Sequence, residues 1–293
     1  MITDPEILDF IRRTEAAYPA ETNDASATDN RRAYDAMCEV FRASRPSGLP
    51  VADLRLGGVP CRIYGNHSPV QVLYFHGGGF VVGGLDSHDD VCAEISGRSG
   101  LRVISAAYRL APEHRWPAQL EDALAVWQTL DRPTIVAGDS AGATLAAGLC
   151  LALQGSAQPL AQVLIYPWLG GDRSLPSYRD NAEAPMLRTA DLDSYQAAIH
   201  GDTDPNDPRA APLQAADLSD VAPAWIVTAD VDPLRDDGPA YAARLRAAGV
   251  PATCRNEPQL PHGYLRARHS SARARASFDA IVAAVTGFAE RGG

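Results

Sequence analysis

The feature that most constrains the fold is an alternation of short apolar runs and helical segments that begins near residue 70. The runs are rich in β-branched residues and lie at Val70–Phe75, Leu101–Tyr108, Thr134–Ala137, Gln162–Tyr166 and Ala224–Ala229, with a weaker one at Ala252–Asn256. Helix candidates lie near residues 87–98, 117–130, 141–154, 234–248 and 270–289. Apolar strands separated by helices predict an α/β fold with a mostly parallel central sheet flanked by helices.

Two regions depart from this alternation. The first fifty residues predict two helices, around Ile7–Ala17 and Tyr34–Phe41, separated by a polar break at residues 22–30. Residues 168–215 are rich in proline and contain one helix candidate near Thr189–Ile199. Because a long insertion in a compact domain is typically a lid or a binding loop, we expect a mainly helical cap. Residues 1–50 would form its N-terminal part and 168–215 its second segment, with the α/β core at 51–167 and 216–293.

Composition excludes several classes of function. The formal net charge of −10 argues against nucleic acid as a partner, because phosphate binding needs a basic face. No apolar stretch approaches the roughly 18–20 residues that a membrane helix needs, and the first residues are acidic where a secretion signal is basic. We therefore expect a cytoplasmic location and no membrane partner.

The reactive side chains narrow the chemistry further. The sequence contains no lysine, so all 26 basic side chains are arginine and Schiff-base mechanisms are excluded. The five cysteines are odd in number and none forms a Cys-x-x-Cys pair. This pattern supports neither a disulfide framework nor a zinc site, and it predicts buried or half-buried thiols.

The strongest chemical signal is Gly138-Asp139-Ser140-Ala141-Gly142, which lies between an apolar strand and an Ala/Leu-rich helix. A serine on a sharp strand-to-helix turn is presented as a nucleophile, and the residues two positions away must be nearly free of side chain. The backbone amides at the start of the helix can receive negative charge. We therefore predict that Ser140 is a catalytic nucleophile.

A second signal, His76-Gly77-Gly78-Gly79-Phe80, follows the strand Val70–Phe75 directly. Consecutive glycines allow the backbone to present amide hydrogens where side chains would obstruct them. Two such amides facing Ser140 would form an oxyanion hole.

The base and the acid that a serine nucleophile needs lie after the last two predicted strands. Of the seven histidines, His262 follows a weak strand in the turn Leu260–Tyr264, whereas His67, His88, His114, His200 and His269 are expected to be structural or surface residues. The order serine, acid, histidine along the chain fits this architecture. Asp230 and Asp232 both follow the strand Ala224–Ala229, and their spacing does not decide between them. Asp236 and Asp237 begin the next helix, where we expect capping and dipole interactions.

Together these motifs resemble the hormone-sensitive-lipase-like α/β-hydrolases, bacterial esterase family IV, from about residue 55 to the end. In order along the chain, they are His76–Phe80, Leu85–Asp89, Tyr108–His114, Gly138–Gly142, Asp232–Asp236 and His262-Gly263. The sequence departs from the family at Ala143, where relatives often have glycine. It also departs in the predicted helix near 189–199. Relatives often have several tryptophan and phenylalanine residues there, whereas Tyr195 is the only aromatic residue in this sequence.

The resemblance implies the α/β-hydrolase fold and several site assignments. It implies that Asp232 is the acid of the triad, and that the amides of Gly78, Gly79 and Ala141 form the oxyanion hole. The expected activity is hydrolysis of short- to medium-chain carboxylic esters, with a small-molecule ester as substrate and no metal or organic cofactor. An amidase or arylformamidase activity and a non-catalytic receptor on the same fold remain alternatives. The resemblance is also compatible with a homodimer through the edge near Ala252–Asn256.

Overall fold

The computed structural model describes residues 2–18, 26–201 and 207–292. Within these residues one sheet contains eight strands: β1 Val51–Leu56, β2 Val59–Tyr64, β3 Gln71–Phe75, β4 Arg102–Ala106, β5 Thr134–Asp139, β6 Ala161–Ile165, β7 Ala224–Val231 and β8 Ala252–Pro261. Their spatial order is β1-β2-β4-β3-β5-β6-β7-β8. The pairs β1–β2 and β2–β4 are antiparallel and all others are parallel. The predicted mostly parallel sheet is confirmed.

The same described ranges contain nine α-helices, which are α1 Pro5–Ala17, α2 Ala27–Phe41, α3 Asp89–Ser99, α4 Ala118–Trp127, α5 Ala141–Ala152, α6 Pro176–Asp180, α7 Thr189–His200, α8 Asp237–Ala247 and α9 Ala272–Gly292. Two short 3₁₀ segments lie at Pro212–Gln214 and Tyr264–His269. None of these helices combines the length and the apolar character that crossing a bilayer requires.

The centre of the molecule is the sheet around β5 and the helix that follows it. Strands β3, β5 and β6 are buried at every position, and α5 is buried from its first residue to its second-last. A helix that is apolar on all sides belongs in the core of a protein. The turn between β5 and α5 is thereby held from both sides. All five cysteines are free, four of them buried and Cys254 half-buried, as predicted.

The antiparallel hairpin of β1 and β2 was missed by the sequence analysis. Strand β1 is largely exposed, so it carries no apolar run. The hairpin turn is Gly57-Gly58, with φ of +55° and +84°, and such a glycine pair suits a two-residue turn. An exposed edge strand leaves only this turn as a signal.

The predicted polar break at residues 22–30 is wrong in its second half. Helix α2 already begins at Ala27, and the Ser26 hydroxyl caps it by accepting a hydrogen bond from the Asp29 amide at 3.2 Å. Serine is a favoured N-cap residue, so the polar stretch marks the start of a helix. Residues 22–25 lie outside the described residues. The short helix α6 was also missed.

Candidate active site

Ser140 lies on the sharp turn between β5 and α5, at the carboxyl edge of the sheet. Its φ of +53° and ψ of −122° fall in a region that non-glycine residues rarely adopt. A Cβ atom on Gly142 would lie 2.0 Å from the Phe75 carbonyl oxygen, and one on Gly138 would lie 2.5 Å from the Gly142 carbonyl carbon. Both flanking glycines are therefore required by the packing of the turn.

His262 and Asp232 lie beside Ser140, each just beyond the end of its strand. The His262 Nε2 atom is 2.8 Å from the Ser140 Oγ atom, and its Nδ1 atom is 2.7 Å from the Asp232 Oδ2 atom. Asp232 is fully buried, and its other carboxylate oxygen accepts a hydrogen bond from the Leu234 amide at 2.9 Å. The three side chains form one continuous hydrogen-bonded chain.

Asp230, the alternative that the spacing left open, faces a different set of partners. Its carboxylate accepts hydrogen bonds from the Asn256 side chain and from the Gln259 amide, both at 3.1 Å. These contacts lie along β8, where the register with β7 shifts between Ala229 and Val231. Asp230 therefore secures the strand pairing, and Asp232 is the carboxylate that contacts His262.

The glycine run after β3 passes close to Ser140 and is tied down by Asp139. Gly78 and Gly79 have φ of +124° and +59°, conformations that favour glycine. The Gly77 amide donates to the Asp139 carboxylate at 3.0 Å, and a Cβ atom on Gly77 would lie 2.4 Å from that carboxylate. The amides of Gly78, Gly79 and Ala141 donate to no protein acceptor within the described ranges, so they are free to bind a ligand oxygen.

The contacts of Asp139 with the glycine run were missed by the sequence analysis. Asp139 is buried at the end of β5, where the hydroxyls of Tyr74 and Tyr166 donate to it at 2.8 and 3.3 Å. The His88 Nε2 atom lies 3.2 Å away. Burial acts to raise the pKa of Asp139. The His88 contact, the charge of Arg266 and the Tyr74 hydrogen bond together outweigh burial and hold the pKa below its usual value. Asp139, the residue before Ser140, thus holds the glycine run in place.

His76, the first residue of the glycine run, is structural. Its ring stacks on the Tyr108 ring with centroids 4.3 Å apart, and the Tyr108 hydroxyl donates to the His76 carbonyl at 2.6 Å. Burial lowers the pKa of His76 to about 4, so this imidazole is neutral at physiological pH. Stacking and hydrogen bonding fix the start of the loop that carries Gly78 and Gly79.

A cavity of about 550 Å³ lies over Ser140, and we call it the Ser140 cavity. Its floor includes Ser140, His262, Gly78 and Gly79. Its wall comes from distant segments: α1 and α2, residues 183–188, α7, and Gly263 with Arg266. Tyr195 of α7 stands directly over the glycine run, because a Cβ atom on Gly79 would lie 2.5 Å from its ring. A small organic molecule fits a cavity of this size.

The capping role expected for Asp236 and Asp237 is wrong. Neither side chain accepts a hydrogen bond from the first turn of α8. Asp237 is instead fully buried and accepts hydrogen bonds from the Leu169 and Gly171 amides at 3.0 and 3.2 Å and from the Tyr178 hydroxyl at 2.9 Å. Burial raises the pKa of Asp237 to about 7. This carboxyl group joins α8 to the segment that leads into the cavity wall.

No group of three or more histidine, cysteine, aspartate or glutamate side chains in the described part of the chain could hold a metal ion. The His88–Asp139 contact is a pair inside the core.

Comparison with known proteins identifies the fold and the family of this chain. A family model described as the alpha/beta hydrolase fold matches residues 72–266. Esterase LipI of Mycobacterium tuberculosis is 42% identical over 243 residues, which cover 74% of this chain and 75% of the relative. The ethyl acetate hydrolase of Pseudomonas putida is 32% identical over 91% of this chain and 93% of the relative.

Among solved structures, an esterase from the bacterial hormone-sensitive lipase family superimposes with a TM-score of 0.89 at 29% identity, covering 98% of this chain and 99% of that one. The site and fold define an α/β-hydrolase with a serine at its nucleophile turn. The chain belongs to the hormone-sensitive-lipase-like family of these hydrolases, and its class is that of a serine carboxylesterase.

Proposed function

We propose that this protein hydrolyses short- to medium-chain carboxylic esters with Ser140 as nucleophile, His262 as general base and Asp232 as the orienting acid. The observation that carries the proposal is the hydrogen-bonded chain from Ser140 Oγ to His262 Nε2 at 2.8 Å and from His262 Nδ1 to Asp232 Oδ2 at 2.7 Å. A serine hydroxyl needs an adjacent base to attack a carbonyl carbon, and the base needs an oriented ring.

In the first half of the reaction, His262 takes the Ser140 proton as the Ser140 oxygen attacks the ester carbonyl. The buried Asp232 carboxylate stabilises the imidazolium that forms. His262 then gives the proton to the departing alcohol, which leaves an acyl group on Ser140. In the second half, His262 activates water, and its attack releases the carboxylic acid and restores the serine.

The developing oxyanion is proposed to bind the amides of Gly78, Gly79 and Ala141. Support comes from the free amides of the glycine run and from the position of Ala141 at the first turn of α5, where the amide has no partner within the helix. Each such donor lowers the barrier by about 3–4 kcal/mol. Asp139 does not contact the oxyanion itself. It positions the glycine run by accepting a hydrogen bond from the Gly77 amide.

The segments around the Ser140 cavity are proposed to form the cap, with residues 1–50 and 168–215 as its two parts. Support comes from the described residues of α1, α2 and α7, which contribute side chains to the wall. A cavity of about 550 Å³ suits short and medium acyl chains better than long ones. We therefore expect activity on 4-nitrophenyl esters to fall once the acyl chain exceeds about ten carbons.

Two further proposals concern assembly and location. A homodimer would pair copies at β8, which is the end strand of the sheet in the described residues and so leaves one edge open. A cytoplasmic location also stays a prediction.

An amidase or arylformamidase would use the same three side chains for catalysis, whereas a non-catalytic receptor would use none of them for catalysis. Turnover of matched ester and amide pairs by the full-length protein separates these functions, with Ser140→Ala as the control variant. We expect ester turnover to exceed amide turnover, and Ser140→Ala to reduce it by roughly 10⁶-fold. Faster amide turnover would favour the amidase, and activity that survives in Ser140→Ala would refute the triad.

A further inference from the structure

Arg266 lines the Ser140 cavity but has no carboxylate partner within the described ranges. It lies four residues after His262, in the segment Tyr264–His269. Its Nη2 atom donates to the Tyr34 hydroxyl, and its guanidinium carbon lies 5.1 Å from the centroid of the Tyr34 ring. Its Nε atom is buried and has no hydrogen-bond partner. By contrast, Arg188 on the same wall is paired with Asp191 at 2.7 Å.

The groups whose charge acts on Arg266 are Tyr34, Cys38, Tyr166 and Asp139. The Tyr34 hydroxyl and the Cys38 thiol are hydrogen-bond partners of Arg266, but neither supplies a negative charge. Burial raises the pKa of the Tyr34 and Tyr166 hydroxyls and of the Cys38 thiol, so these groups are neutral at physiological pH. Asp139 is ionised, but its carboxylate already accepts the hydrogen bonds described above, from Gly77 and the Tyr74 and Tyr166 hydroxyls.

Arg266 is half-buried and lines the cavity, and a guanidinium that is partly withdrawn from water without an ionised partner is costly unless an anion binds it. Arginine binds carboxylates with paired, charge-assisted hydrogen bonds. Ser140 and Arg266 line the same cavity, so one small molecule can reach the nucleophile and the guanidinium together.

We propose that Arg266 binds a carboxylate of the substrate, so that the preferred substrates are esters whose acyl or alcohol part carries a free carboxylate. This inference rests on the proposed ester hydrolysis at Ser140. The chemical class comprises monoesters of dicarboxylic acids and acyl esters of hydroxy acids. The competing explanation is that Arg266 only fastens α2, through Tyr34, to the segment Tyr264–His269.

The test compares kcat/KM for two matched pairs of esters, with acid release followed by pH-stat titration. Monoethyl glutarate against ethyl pentanoate places the carboxylate in the acyl part, and 4-acetoxybutanoate against butyl acetate places it in the alcohol part. For at least one pair, Arg266→Met is expected to lower the ratio of carboxylate to neutral ester by roughly 10- to 100-fold, the factor of one charge-assisted hydrogen bond. Arg266→Lys keeps the positive charge but loses the paired donors of the guanidinium. The ratio of carboxylate to neutral ester should therefore fall less in Arg266→Lys than in Arg266→Met.

Arg55→Met is the matched control for the loss of one positive charge. Arg55 is exposed on β1 and donates to the Gly58 carbonyl at 2.7 Å, so its loss should leave both ratios unchanged. Circular dichroism checks that each variant is folded. If Arg266→Met does not fold, the lowered ratio in Arg266→Lys decides the question.

The outcomes separate the two proposals. If folded Arg266 variants still cleave neutral esters and show the wild-type ratio of carboxylate to neutral ester, the carboxylate site is overturned and the proposed esterase activity stands. A wild-type ratio below about one hundredth for both pairs would also overturn the site, because it would indicate repulsion of the carboxylate rather than binding. No hydrolysis of any of the four esters by the wild-type protein would instead refute the proposed function.

Discussion

The carboxyl edge of the sheet and the wall of the Ser140 cavity are built in different ways. At the edge, Ser140, Asp232 and His262 each lie just after a strand, and each is positioned by a few neighbouring residues. The wall combines side chains that are far apart in sequence, such as Tyr34, Tyr195 and Arg266. We therefore expect substitutions at the edge to decide whether an ester is cleaved, and substitutions in the wall to decide which ester is cleaved.

The largest expected effect after loss of the nucleophile belongs to Asp232. Asp232→Asn removes the carboxylate that orients and stabilises the His262 ring, so kcat should fall by about 10⁴-fold. Asp230→Asn is the matched control, because Asp230 contacts Asn256 and Gln259 instead. Steady-state kinetics on a 4-nitrophenyl ester measure both variants. Equal losses would show that the acid has been wrongly assigned.

The second prediction concerns the turn beneath the nucleophile. Gly142→Ala would place a Cβ atom 2.0 Å from the Phe75 carbonyl oxygen, so the backbone must move, at a cost of about 3 kcal/mol in the free energy of unfolding. Gly84→Ala is the control, since a Cβ atom there meets nothing within 4 Å and should change stability by less than about 0.5 kcal/mol. Denaturant titration measures both. Similar stability for the two variants would mean that the turn tolerates a side chain.

The third prediction tests the wall. Tyr195→Ala removes the ring that stands over Gly79, which enlarges the Ser140 cavity. The preferred acyl chain should lengthen, with a change of about tenfold in the kcat/KM ratio of long to short esters. A matched series of 4-nitrophenyl esters gives this ratio. An equal loss of kcat/KM for all chain lengths would show that Tyr195 affects whether an ester is cleaved rather than which ester is cleaved.

The smallest effect on turnover is expected from Asp237, which lies between the sheet edge and the cavity wall. Its predicted effect is on the stability of the fold. Burial raises its pKa to about 7 in the folded protein, whereas the unfolded value is about 3.9. The folded state therefore binds more protons between these values, and its contribution to stability is lost as pH rises from about 4 to about 7. Asp237→Asn should remove this dependence, as measured by urea unfolding across that pH range.

Asp236→Asn is the neighbouring control for that experiment. Burial acts to raise the pKa of Asp236, but the hydrogen bonds that it accepts from Arg235 and Ser177, together with the charge of Arg235, outweigh burial and keep the pKa below its usual value. Its contribution to stability is therefore lost on acidification, the opposite sign. If the decline between pH 4 and pH 7 survives in Asp237→Asn, it arises from another group.

The contrast between the sheet edge and the cavity wall also explains which features could be predicted from the sequence. Strand β5, the Ser140 turn and the turn at His262 follow local rules of periodicity and glycine placement, so their position could be predicted. The choice of Asp232 over Asp230 came from the family resemblance, because both residues follow the predicted strand Ala224–Ala229 at suitable distances. In the structure, the Asp232 carboxylate contacts His262, and the Asp230 carboxylate contacts Asn256.

The missed features around the site depend on tertiary packing. The role of Asp139 depends on Tyr74, Tyr166 and His88, which reach it from other elements. The link from Asp237 to Leu169 and Tyr178 spans more than fifty residues, and Arg266 belongs to no motif. A signal for Asp139 did exist, since a charged residue at the end of an apolar strand needs buried partners.

The most direct test of the central claim is labelling with a fluorophosphonate probe, followed by mapping of the modified peptide by mass spectrometry. Such probes react with an activated serine hydroxyl. We predict one label on Ser140, a loss of ester hydrolysis in proportion to labelling, and no label on Ser140→Ala. A label on another residue that accounts for the lost activity, or full activity in protein whose Ser140 is labelled, would contradict the account.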